Sequence, residues 1–359
     1  MKKLNLVFIA GLTASSVFFT SCSNDDDTTI DPEETGEFSN GVFILNEGNF
    51  GSSNASVSFF GDNGVLQNGI FQSVNGESLG DTAQNIFLDE DKAYIVLNGS
   101  GKIEVVNRYS FERLGTVSSG LANPRYFITE NGKGYVSNWG DPSNPEDDYI
   151  AVIDLGNYTV SATIPVVEGP DRLEADNGKI YVAHSGGWNY GNTVSVINAS
   201  NNSISSTITV HDYPNSLLEE NGVLYVLCGG KPAWTGEETT ASLYKINTAD
   251  NSILTSLEFP VGQHPTNLEE EEGNLYFTLD ATVFKTEMGT TTLPPNPLFD
   301  AASQGVFGIY GFAVENGKIY VGDAGDFVSN GKVFIYSNSG NLLNELSAGF
   351  LPNGFASND

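Results

Sequence analysis

The sequence predicts an all-β fold: a single seven-bladed β-propeller with four-stranded blades, one of them closed by both termini. Three observations predict it. An apolar-Tyr-apolar strand phrase recurs seven times, each copy has three strand-like neighbours, and the two ends of the chain read as complementary parts of one blade.

The phrase is a turn containing Gly or Asp followed by a short strand. It appears around Tyr94, Tyr135, Tyr181, Tyr225, Tyr276 and Tyr320, and in a divergent form around Phe43 in Gly41-Val-Phe43-Ile-Leu45. From Phe43 to Tyr320 the intervals are 51, 41, 46, 44, 51 and 44 residues. Before each Tyr strand lies a strand opened by Pro or a polar residue, as at Pro124, Pro170, Pro214 and Pro265. After it come a variable loop, a strand such as Val194-Ser-Val-Ile-Asn198, and a last strand such as Ser205-Ser-Thr-Ile-Thr-Val210. Their alternation and β-branched content are those of strands. Glycine is abundant, at 40 residues, as many short strands joined by tight turns require.

Residues 41–74 read as a blade without its first strand, and Leu351-Pro-Asn-Gly-Phe355 reads as a first strand without its blade. Joined, they close the ring and leave no open sheet edge. A solenoid would not need such complementary ends.

With the strands of a blade named a to d from centre to rim, the Pro-opened strand is a and the Tyr strand is b. The d–a and b–c connections then share one face, the upper face. The a–b turns, such as Glu130-Asn-Gly-Lys133 and Asp176-Asn-Gly-Lys179, lie on the other as short Asn-Gly hairpins. The two faces differ. Upper b–c loops are long, dissimilar and aromatic: they contain Asn46 and Phe50, Asn138 and Trp139, His184 with Trp188 and Tyr190, Trp234, and Phe327. All three tryptophans of the chain lie there. Variable loops on a rigid frame are where binding resides, and Trp and Tyr offer wide contact with a polar handle. The d–a side adds Arg125, Tyr126, Arg172, His211, Tyr213, His264 and Tyr310 near the inner rim. The candidate ligand-binding set is therefore Asn46, Phe50, Arg125, Tyr126, Asn138, Trp139, Arg172, His184, Trp188, Tyr190, Trp234, His264 and Tyr310. For any single aromatic, packing between blades is the competing role.

Domain boundaries follow. Residues 1–21 are a leader, with Lys2 and Lys3 before a short apolar stretch, Leu4 to Phe19, too short to span a membrane. Small residues precede Cys22, in the pattern Phe19-Thr-Ser-Cys22. Residues 22–39 are polar and acidic, with Asp25, Asp26 and Asp27 in a run, and form a flexible tether. Residues 40–359 are the propeller.

The net charge is −30. Such a surface repels nucleic-acid phosphates and anionic lipid headgroups, so nucleic acid is excluded as a partner. The chain has two cysteines, Cys22 and Cys228. Cys228, directly after the apolar run Leu224 to Leu227, reads as a small buried residue.

No motif for catalysis appears: there is no Gly-x-Ser-x-Gly, paired-Cys or His-Glu-x-x-His pattern, and the expectation is a binding protein without a cofactor. His184, His211 and His264 fall on three successive blades, which keeps a metal-dependent hydrolase or lyase as the least favoured reading. The acidic loop with Asp141, Glu146, Asp147 and Asp148 lacks the spacing of a calcium loop.

The Phe19–Cys22 segment resembles the bacterial lipobox, with Phe19 where Leu is usual; the resemblance implies a lipid on the Cys22 sulfur, which leaves Cys228 the one thiol and no intrachain disulfide. The acidic run after it resembles the export signal of surface lipoproteins of Gram-negative bacteria, which implies an outer-membrane, lipid-anchored, cell-surface location. Residues 40–359 resemble the YncE-like propellers in the Pro-opened strand, the Asn-Gly turn and the Tyr-Val strand. The leader together with Gly41-Val-Phe-Ile-Leu-Asn-Glu-Gly-Asn-Phe-Gly51 resembles the surface lipoproteins that capture cobalamin and pass it to a TonB-dependent outer-membrane transporter. Cobalamin, with its broad corrin face and amide side chains, suits Tyr, Trp and Asn on a concave surface. A surface adhesion propeller for protein or glycan is the alternative.

Overall fold

The computed structural model describes residues 36–359; the leader, Cys22 and most of the tether lie outside the described residues. Seven antiparallel four-stranded sheets follow one another around a ring, each in the order a-b-c-d from the centre outwards. In the first blade the order is Pro352–Ser357, Gly41–Asn46, Ser56–Gly61 and Leu66–Gln67. The C-terminal segment thus supplies the innermost strand of the first blade, with Ile44 opposite Phe355. The a–b turns at Asn131-Gly132, Asn177-Gly178, Asn221-Gly222 and Asn316-Gly317 have positive φ at both residues. That is the hairpin geometry whose twist matches the strands, and Asn-Gly is the pair that adopts it at least cost.

The apolar core is divided into seven, one cluster at each interface between consecutive blades. Cys228 is buried in the cluster between the fourth and fifth blades. The Tyr of strand b explains the repeat. Tyr135 of the third blade donates its hydroxyl proton to Ala199 O at 3.3 Å in the c–d turn of the fourth. Tyr181 of the fourth donates to Thr248 O at 3.2 Å in the c–d turn of the fifth. Tyr225 of the fifth reaches Met288 O at 3.5 Å in the sixth. In these three blades the ring packs in an interblade core while its hydroxyl ties down a turn carbonyl that has no strand partner; Tyr94, Tyr276 and Tyr320 pack in the same way without that bond. The divergent Phe43 faces a different neighbour: Phe111 occupies the corresponding turn of the second blade, and the two rings lie 5.1 Å apart. With an aromatic ring there, no hydroxyl is called for.

Packing begins inside the segment assigned to the tether. Phe38 is 2% exposed, sits 5.5 Å from Phe59 and 5.8 Å from Phe111, and donates its N–H to Tyr109 O at 3.0 Å. Asn358 seals the same place. Its side-chain amide donates to Phe38 O at 2.6 Å and Arg108 O at 3.0 Å, its Oδ1 accepts from Arg108 Nε, and its backbone N–H donates to Gly41 O at 2.8 Å.

Aligned on their opening residues, the seven innermost strands form levels. The third level, Ile86, Phe127, Leu173, Leu217, Leu268, Phe312 and Phe355, is apolar and buried throughout. The levels above it carry the polar groups of the upper mouth, and the lowest carries Glu130 and Glu271, whose carboxylates accept from the Gly178 and Gly317 N–H of the next blade's turn at 2.7 Å each.

Asn358→Ala should lower stability by about 1–3 kcal/mol, the cost of leaving buried carbonyls and a guanidinium N–H unsatisfied. Urea unfolding followed by tryptophan fluorescence measures it, and a change within error would remove Asn358 from the closure.

Candidate functional site

The upper mouth is built on the first residues of strand a. In most blades a register shift falls just after the opening residue of this strand, as between Pro124 and Phe127, so the opening carbonyl lacks a ladder partner. The preceding blade supplies one from a side chain. Asn98 donates to Pro124 O at 3.2 Å, Trp139 Nε1 to Pro170 O at 2.9 Å, Asn215 to Pro265 O at 2.9 Å, and Asn353 to Ala83 O at 2.8 Å.

Asn46, Asn138 and His184 share one role that the linear sequence conceals. Each ends a strand b, is 0% exposed, and holds the d–a connection of its own blade. Asn46 Oδ1 accepts from Gly349 N at 2.9 Å, and Asn138 Oδ1 accepts from Ala122 N at 3.0 Å. His184 Nδ1 lies 3.0 Å from Val167 O and Nε2 2.9 Å from Ser195 Oγ. A proton on Nδ1, donated to the carbonyl, leaves Nε2 to accept from the serine. Burial lowers the His184 pKa to about 4, so the ring is neutral near pH 7. None of the three presents a free polar atom to a ligand. His264 is half-buried, with Nδ1 2.7 Å from Gly229 O and Nε2 3.5 Å from Glu238. The three histidines do not converge, and among the described residues no three His, Cys, Asp or Glu side chains are placed to share a metal ion.

The second group forms a stiff inner rim. Arg125 stacks on the Trp139 ring at 4.0 Å, donates to Gln84 Oε1 at 2.6 Å and pairs with Asp171 at 3.3 Å. Asp171 also accepts from Ser185 Oγ at 3.2 Å. The Tyr310 hydroxyl donates to Glu47, and the Tyr310 ring meets Phe327 edge-on at 5.7 Å. Burial raises the Glu47 carboxyl above its usual range, against the lowering effects of Tyr310 and Arg125. Tyr190 packs edge-on against Tyr213 at 5.7 Å.

The third group stands outside this rim in solvent. Phe50 is 83% exposed, Trp188 76%, Trp234 80%, Phe307 95% and Phe327 56%. These most exposed Phe and Trp side chains come from five blades, and all rise from upper-face connections. Phe307, outside the sequence-predicted set, lies on the d–a connection that follows the last strand of the sixth blade. That strand is only Phe299–Asp300, and the chain turns through a short 3-10 helix, Ala301–Gln304, before reaching Phe307. Between Trp139 and Trp188 runs a narrow cleft, floored by Gly187 and edged by Asp141, Asp148 and Glu168. Asp141 and Asp147 are occupied in folding their own loop, accepting from Ser143 N and Asp141 N. Asp148 accepts from Gly169 N at 2.6 Å, and burial raises its pKa to about 6.

Below the rim a cavity of about 450 Å³ occupies the centre of the ring, bordered by Tyr126, Arg172, Glu174, Asn267 and Glu269 among others. The Arg172 guanidinium covers the Tyr126 ring at 4.3 Å. Burial raises the pKa of Glu269 to about 8 in spite of Arg172, and burial with the Glu219 charge does the same to Glu174.

Fold and site together define a single seven-bladed β-propeller with a rigid polar mouth and an aromatic upper face. The chain belongs to the family described as a domain of unknown function, DUF5074, which matches residues 40–311. No curated protein matches the sequence. Among solved structures, a functionally unknown protein from Desulfotomaculum acetoxidans has a TM-score of 0.65 at 12% identity, over 89% of this chain and 99% of that one. A quinonprotein alcohol dehydrogenase-like protein from Bacteroides thetaiotaomicron has a TM-score of 0.64 at 15% identity, over 90% and 79%. BamB from Moraxella catarrhalis has a TM-score of 0.52 at 13% identity, over 89% and 86%. At these identities the likeness is one of fold alone.

The channel carboxyls set a pH dependence. A carboxyl whose folded pKa lies near 8 stabilises most below its unfolded value of about 4.5, and that stability is lost as pH rises through 8. Glu269→Gln should therefore gain over the parent chain between about pH 5 and pH 9, by about 1–3 kcal/mol once the wet channel's screening is allowed for. Urea midpoints at the two pH values test this; a gain independent of pH would show that Glu269 ionises normally.

Proposed function

We propose that this chain is a non-catalytic surface lipoprotein that captures cobalamin, or a nutrient of similar size and polarity, on its upper face for a TonB-dependent outer-membrane transporter. The observation that carries the reading is the distribution of exposed aromatics: Phe50, Trp188, Trp234, Phe307 and Phe327 all border one face, around a mouth whose polar groups are bonded to one another. Exposed aromatic surface is costly in water, and concentrated on one face it favours a broad, flat partner. A stiff inner rim supplies donors and acceptors whose ordering cost is met before binding. The acidic surface suits a neutral or cationic ligand. The leader, the acidic tether and the phrase from Gly41 to Gly51 add their resemblance to the cobalamin-capturing lipoproteins. The alternative, an adhesion propeller for protein or glycan, would use the same aromatics.

Calorimetric titration of residues 23–359 with cyanocobalamin should give saturable heat. Trp188→Ala and Trp234→Ala should each weaken binding by about 1–3 kcal/mol with unchanged thermal midpoints, since neither ring is packed in the fold. If cyanocobalamin gives no heat and no stabilisation while an outer-membrane glycan does, adhesion replaces capture. Lipid attachment is read separately: Cys22→Ala should abolish labelling by radioactive palmitate and release the protein from the membrane fraction.

A further inference from the structure

We propose that the central cavity is a second binding site, for a small zwitterion of the α-amino-acid class with an apolar side chain, its carboxylate held by Arg172 and its ammonium by Glu269 and Glu174. Two arginines one level apart differ sharply in their partners. Arg125 is fully engaged, by Asp171, Gln84 and the Trp139 ring. Arg172 has the Tyr126 ring against its face, but its N–H groups meet no hydrogen-bond or ion-pair partner among the described residues. In a chain with 45 acidic and 15 basic residues, a guanidinium on a cavity wall without a bonded carboxylate is conspicuous. A planar fork of donors of this kind fits a carboxylate.

The carboxyls opposite are also open. Glu269 makes no hydrogen bond or ion pair, and Glu174 is approached only by the Ala175 amide. Of the acidic groups at the lowest level, Glu130 and Glu271 cap the next blade's turns, and Glu315 faces the Ser357 amide with its Oε2 left buried and unpartnered. Glu174 and Glu269 stand opposite the equivalent Tyr181 and Tyr276 in their sheets, so they share a level, two residues below Arg172. Residues two apart on a strand point the same way and are separated by about 6–7 Å. Positive and negative groups thus face one open space without closing on each other. A molecule with both charges a few bonds apart bridges that gap, with a charge-assisted hydrogen bond of about 2.8 Å at each end. Phe87, Ile128 and Leu218 line the same cavity and offer contact to an apolar side chain. Its volume, about 450 Å³, is in the range of small-molecule sites. The raised carboxyls add a signature: an ammonium favours their ionised form, so binding releases protons near neutral pH.

The test is calorimetry on residues 23–359 with L-leucine, L-leucinamide and N-acetyl-L-leucine. L-leucine should bind saturably, with proton release seen as a dependence of heat on buffer ionisation enthalpy. The amide and the acetyl derivative, each lacking one charge, should bind about tenfold or more weakly, the scale of one lost charge-assisted hydrogen bond. Arg172→Gln should remove the preference over the amide, and Glu174→Gln with Glu269→Gln the preference over the acetyl derivative. Cyanocobalamin titration of the same variants keeps the two sites apart: loss of leucine with cyanocobalamin unchanged supports this proposal whatever the upper face binds. No saturable leucine binding, or equal affinity for all three compounds, overturns it. Should Arg172→Gln fail to fold, the comparison of the three compounds on the parent chain decides alone.

Discussion

An aromatic ring at the same place in strand b of every blade, packed against the next blade, is the constraint on which this molecule depends. A blade has two apolar side faces and no apolar layer of its own, so its burial is supplied entirely by its neighbours. The ring in strand b fills that interface in all seven blades, and in three of them its hydroxyl also binds a turn of the next blade, as Tyr135 and Tyr181 do through Ala199 and Thr248. The fit of each blade against the next follows from this repeated ring. Closure is then cooperative in a strict sense: the cluster shared by the seventh and first blades forms only when Pro352–Ser357 lies beside Gly41–Asn46.

That logic also decides what the sequence made legible. The Tyr phrase, the Asn-Gly turns and the complementary ends are dictated by geometry common to every blade, and each leaves a fixed residue at a fixed spacing. The site residues obey no such rule. Asn46, Asn138 and His184 stand in the sequence at the entrance to long polar loops, where a binding role is the natural reading. In space the last residue of strand b still points into the sheet, and its polar atoms serve the incoming d–a connection. Nothing in composition separates that arrangement from an exposed one. Phe307 is missing from the sequence-predicted set for another reason: the sixth blade has an outermost strand of only two residues, and the connection after it carries no repeat that marks the ring as exposed. Phe38 was assigned to the tether because one aromatic among polar residues carries no period, although its partners Phe59 and Phe111 are distant in sequence.

The upper face divides its labour by depth. Groups nearest the axis are committed to one another: Arg125 to Asp171 and Trp139, Tyr310 to Glu47. Of the groups further out, Phe327 touches the rim at Tyr310, while Phe50, Trp188, Trp234 and Phe307 stand mostly in solvent. A ligand settling on such a surface meets fixed polar positions at its centre and movable aromatic contacts at its edge. Much of the negative charge beneath is structural, since Glu130 and Glu271 cap neighbouring turns. The electrostatic character of the upper face is therefore separable from that of the lower one.

The seam at Asn40 and Asn358 carries a further consequence. Asn40 N–H donates to Asn358 O at 2.7 Å, and Asn358 N–H to Gly41 O at 2.8 Å, so the two strands are already joined by backbone pairing where the covalent chain is not. A short peptide linker across that point, with the chain cut instead in a c–d turn such as Asn201-Asn202, would yield a circularly permuted ring with the same seven interfaces. In such a permutant the order of synthesis changes while the contacts do not. The ring thus offers a direct way to ask whether folding follows the chain from its first blade or can begin at any of them.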